Sequence, residues 1–82
     1  MARGEKLLER MRANPLDWRI EDVAAVCAAF GVACTPPRKG SHYKVKHEGQ
    51  AEFLTVPAHR PIKPGYIEAL VAFLDAVRET RS

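Results

Sequence analysis

The 82-residue sequence predicts an α+β fold: a three-stranded antiparallel sheet with helices on one face, in the order α-α-β-β-β-α. Two observations carry the prediction. Apolar residues recur at helical spacing up to Phe30 and again after Pro64, but in between they alternate with polar ones. Gly31, Pro36-Pro37, Gly40, Gly49 and Pro57 divide that middle stretch into short runs of strand length.

Leu7, Leu8 and Met11 predict a short amphipathic helix from about Arg3 to Ala13, ended by Asn14-Pro15 because proline disfavours helical geometry in the residue before it. Pro15 to Arg19 reads as a connector in which Trp18 packs as a hydrophobic staple, with base stacking the alternative. Ile20, Val23, Ala24, Cys27 and Phe30 mark a second helix, whose first turn carries Glu21 and Asp22 at the positive end of the dipole. Gly31 is its left-handed stop. Val32 to Thr35, Ser41 to His47 and Glu52 to Val56 read as strands, the last two a hairpin turning at Glu48-Gly49-Gln50. Alternation puts Tyr43, Val45, Leu54 and Val56 on the face to be covered, and leaves His42, Lys44, Lys46, Phe53 and Thr55 on the other. Pro57 to Lys63 is a loop. Pro64 then opens a final helix, where Ile67, Leu70, Val71, Leu74 and Val77 form the apolar stripe through to about Arg78.

A chain of 9.1 kDa is the size of a single small domain, 1–82, with an N-terminal helical segment (1–15) ahead of a core spanning 20–78. At 46% apolar and 28% charged it has the composition of an ordinary globule. No apolar run is long enough for a bilayer span, and the charged N-terminus leads into no signal segment, so a cytoplasmic location without membrane attachment is expected. Two cysteines, Cys27 and Cys34, are too few for a disulfide scaffold and read as free, packed thiols. The net charge of +3 is unevenly spread. Between Arg38 and Lys63 six bases face two acids, a net +4, and this stretch holds all three histidines. Such a concentration suits a polyanion binder, and equally a hairpin kept soluble by lysines.

Gly40-Ser41-His42 stands inside this basic frame. Metal-free RNA cleavage needs one group to take the 2′-hydroxyl proton, another to protonate the departing 5′ oxygen, and positive charge for the phosphate. Histidine suits the proton transfers, and Lys44 and Lys46 follow His42 on the same strand face. Residue types alone leave a surface histidine in a basic patch as the alternative. No metal or other cofactor is expected. His42 and His47, five apart on a strand, point to opposite faces, and the sequence has no Cys-x-x-Cys or His-x-x-x-His. His47 reads as a solvated residue near the turn.

Three elements in order resemble a known family: Arg38-Lys39-Gly40-Ser41-His42-Tyr43, Thr55-Val56-Pro57-Ala58-His59 and Ile62-Lys63-Pro64-Gly65. Over roughly Ile20 to Val77 the chain is similar to the HicA toxins of HicA–HicB toxin–antitoxin pairs. The resemblance implies a double-stranded-RNA-binding-like fold, mRNA cleavage inside the cell, and neutralisation by a HicB-like antitoxin. It puts His42 at the catalytic position and His59 in the second motif. RNA-binding candidates are then Arg38, Lys39, Gly40, Ser41, Lys44, Lys46, His59 and Lys63, in a protein monomeric when free. The alternatives are a catalytically silent RNA-binding module of the same fold and a protein-interaction domain with a basic face. The helix before Ile20 departs from the compact toxins, which begin close to the second helix.

Overall fold

The computed structural model describes residues 3–58 and 60–81. Its elements are α1 (Arg3–Ala13), α2 (Ile20–Ala29), β1 (Ala33–Thr35), β2 (His42–Lys46), β3 (Leu54–Pro57) and α3 (Pro64–Arg81), the expected order. The sheet is antiparallel with β2 in the centre. Cys34 pairs with Val45, and Val45 with Leu54; Thr35, Lys44 and Thr55 form the neighbouring row, and His42 lies opposite Pro57.

The end of α2 decides where β1 begins. Gly31 is left-handed at φ 70°, its N–H donates to Ala28 O at 3.2 Å, and the Val32 N–H donates to Cys27 O at 2.9 Å. These paired bonds are a Schellman cap, which satisfies carbonyls that the helix end would orphan. Val32, expected to open the strand, is thus held by the cap and buried, and pairing starts at Ala33. β3 is also displaced from its expected Glu52–Val56 span. Glu52 bends out of the ladder, and Pro57 joins it opposite His42, tolerated because β3 is an edge strand.

The core gathers Val23, Val26, Cys27 and Phe30 from α2, Val45 and Val56 from the sheet, and Ile67, Leu70, Val71, Leu74 and Val77 from α3. Helices α2 and α3 cover the Val45/Val56 side of the sheet, as alternation requires. The N-terminal helix is part of this core. Leu8 and Met11 are both 0% exposed, and α1 packs against α2 and α3. The approach to α2 is so close that a Cβ at Gly4 would collide with that of Ala29. Arg12 joins α1 to α3 through a two-pronged pair with Asp75, at 2.8 and 2.7 Å, and also donates to Glu9 at 3.2 Å.

The connectors are tied down by backbone bonds. Asn14 Oδ1 accepts from the Leu16 N–H in an Asx turn, and Asp17 sits at φ 64°. Trp18 packs against the core, donates Nε1–H to Asn14 O at 2.6 Å, and carries the Arg10 guanidinium over its ring. Its carbonyl accepts from the Ile62 N–H at 2.9 Å, which fastens the loop before α3. Trp18 is thus half-buried against the core, the packing role expected of it.

Cys27 is fully buried on α2 and Cys34 half-buried on β1; both are free thiols. Desolvation pushes Cys27 up to about 12, with Cys34 alongside adding to the rise. Burial raises Cys34 as well, against an opposing hydrogen bond from Cys27. Neither forms thiolate readily near neutrality.

Three outcomes follow. Leu8→Ala or Met11→Ala should cost about 2–5 kcal/mol in urea unfolding, a large share of the ~5–15 kcal/mol typical of a small domain. Arg12→Met should cost less than about 1 kcal/mol, because both partners are more than a third exposed. The Arg12 hydrogen bonds hold Asp75 below the usual carboxylate range, so this contribution is complete above pH ~4 and fades as the pH falls through the lowered value. The stabilities of Arg12→Met and the parent chain should therefore converge in acid. Iodoacetamide at neutral pH should label the native thiols slowly and the urea-unfolded chain fast, as read by mass spectrometry.

Candidate functional site

A sheet covered on one side leaves its other side to solvent, and the expected basic residues stand there. His42, Lys44 and Lys46 are exposed on the central strand, at alternate positions of one face. Two strand residues span about 7 Å, so the imidazole and the two ammonium groups form one row along the face. Pairing adds neighbours that no periodicity could name. Thr35 and Thr55, both exposed, flank Lys44 on either side, and Ala33 lies beside Lys46. Buried Pro57 closes the His42 end.

The Gly-Ser-His and Val-Pro elements, fifteen positions apart in the chain, meet at this end. Beyond the His42–Pro57 pair, the Ala58 N–H donates to Ser41 O at 2.7 Å. Gly40 has φ 83°, with open space where a Cβ would stand, so backbone conformation rather than crowding requires glycine in the turn into β2. Arg38 and Lys39 are exposed on the loop leading to it. Lys63, also exposed, stands before α3, and its carbonyl accepts from the Tyr66 N–H at 3.0 Å. His59 lies outside the described residues.

Alternation placed Phe53 on this face, and pairing adds its contact: the ring is 53% exposed, and the Lys44 ammonium sits 4.7 Å from its centroid. The reading of His47 as a solvated residue is corrected: it is half-buried and its Nδ1 accepts from the Gly49 N–H at 3.0 Å, which organises the hairpin turn.

Chemically, the face offers exposed positive charge, hydroxyls and an imidazole able to exchange a proton, with no acid among its strand residues. Among the described residues, no three histidine, cysteine or acidic side chains are grouped to hold a metal ion. Among the same residues, no helix is long and apolar enough to cross a membrane.

No curated protein and no solved structure is significantly similar to the chain. A family model, that of the HicA toxin of bacterial toxin-antitoxin, matches residues 20–74, from the start of α2 into α3. That span contains the whole sheet and leaves α1 outside it. The match takes in two thirds of the sequence and every motif on the basic face, and on it the chain belongs to the HicA toxin family of toxin–antitoxin systems.

Proposed function

We propose that this toxin is a metal-independent endoribonuclease that cleaves mRNA, and that a HicB-like antitoxin neutralises it. The observation that carries the proposal is the row of His42, Lys44 and Lys46 on the uncovered face of a sheet in a HicA-family chain. Cleavage would proceed by attack of the 2′ oxygen on phosphorus. The 2′-hydroxyl proton passes to a base, the P–O5′ bond breaks, and the departing oxygen takes a proton, giving a 2′,3′-cyclic phosphate and a 5′ hydroxyl. His42 serves as a proton-transfer group in this sequence. Lys44 and Lys46 hold the phosphate and offset the charge that builds on it. Arg38, Lys39, Gly40, Ser41 and Lys63, all in the turns and loops leading into β2 and α3, extend the contact along the RNA backbone, and His59 belongs to it by its motif.

His42→Ala should lower cleavage of an RNA substrate in chelator by about 10²- to 10⁴-fold, the usual contribution of general acid–base catalysis. His42 is exposed, so urea unfolding should change little. In cells without the antitoxin the parent chain should arrest growth, and the variant should be tolerated at equal protein level. RNA that stays intact in the presence of the parent chain while still binding it would move the reading to a silent RNA-binding module. Replacing Lys44 and Lys46 together with glutamine should weaken RNA binding about equally across sequences and flatten its salt dependence, because fewer counterions are released.

A further inference from the structure

Phe53 lies outside the buried core. Among the described residues only it and Leu16 are large apolar side chains with about half their surface in water, each 53% exposed. It stands at the end of the uncovered face, just before β3, and also lines a shallow groove with Glu52, Leu54, Ala69 and Phe73. The Lys44 ammonium lies over the ring at 4.7 Å, and Lys44 is the centre of the face, two residues from His42.

A flat, exposed ring beside a cation, on a basic face, matches a nucleobase with its attached phosphate. The requirement for a free base is strict. In an A-form duplex the bases are stacked inside the helix and present no face to a side chain, whereas unpaired bases are commonly recognised by stacking on aromatic rings. We infer that Phe53 is the stacking platform for one unpaired base of the RNA, with Lys44 on the adjoining phosphate, so that the substrate is a single-stranded segment laid along the open sheet face. The inference rests on the RNA reading above and adds to it the strandedness of the substrate and the residue that selects it.

In the free protein Lys44 rests against the ring. Its ammonium sits on a flexible four-carbon stem, and an exposed cation–π contact is weaker than a stacked base together with a lysine–phosphate contact. Arrival of RNA therefore exchanges partners: the phosphate takes the ammonium and the base takes the ring. The ring carries no charge, so this subsite contributes to affinity without contributing to counterion release. That property separates it from the lysines experimentally.

The test uses the full chain carrying His42→Ala, so that RNA stays intact, with fluorescence anisotropy of a labelled unstructured oligoribonucleotide and of an RNA duplex. Adding Phe53→Ala should weaken binding of the single strand about 5- to 150-fold. Duplex binding and the slope of affinity against salt should stay as they were. Phe53→Trp should retain the single-strand affinity, whereas Phe53→Leu, apolar but without a ring face, should lose it as alanine does. Circular dichroism and urea unfolding report the fold of each variant. Unchanged single-strand affinity in Phe53→Ala overturns the inference and leaves the ring to a protein partner. Equal losses for single strand and duplex, or full rescue by leucine, overturn it as well. If the His42→Ala chain with Phe53 intact binds neither RNA, the RNA reading itself fails and the stacking site falls with it.

Discussion

Burial of Val45 and Val56 under α2 and α3 is the constraint from which the rest of the structure follows. A strand alternates its side chains, so committing these two valines to the core commits their neighbours to the opposite side. A slip of one residue in β2 would bury three charged or polar groups and expose Val45, and the register is therefore strongly specified. The basic row is the unburied half of a choice made by the hydrophobic core. The face can afford such charge because it supplies none of the packing.

The covering layer is small, and in a domain of this size each buried side chain counts. Leu8 and Met11 complete it from α1, although α1 lies outside the span that matches the family. Close packing at Gly4 and the Arg12–Asp75 pair fix how that helix lies, the first by shape and the second by geometry more than by energy. The helix outside the family match thus belongs to the scaffold and packs chiefly on the two helices rather than on the sheet. The thiols belong to the scaffold too, since burial holds both away from the ionised form that would make them reactive.

The uncovered face carries two kinds of group on one surface. Its lysines are exposed charges whose reach is set by salt, and Phe53 is an exposed ring that acts only at contact. The hairpin supplies both from adjacent rows, because antiparallel pairing brings β3 beside β2 with Thr55 next to Lys44. The same pairing sets Ser41 against Ala58, so two motifs distant in sequence become one end of one surface.

Element order and the two faces of the sheet were legible in the sequence because each rests on local periodicity, and Gly31 was legible as a stop because glycine takes φ 70° at no steric cost. The candidate row of His42, Lys44 and Lys46 was legible for the same reason, being set by alternation along one strand. What depended on residues far apart was not. Val32 left its strand for the cap of α2, and β3 slid toward Pro57 once an edge position made proline tolerable. The membership of α1 in the core depended on a close crossing with α2, and Trp18 became a tie between α1 and the loop before α3. The contact between Phe53 and Lys44 arose from the pairing of two strands. Local spacing determines which side of an element a residue occupies; only the packing of one element on another decides what it meets there.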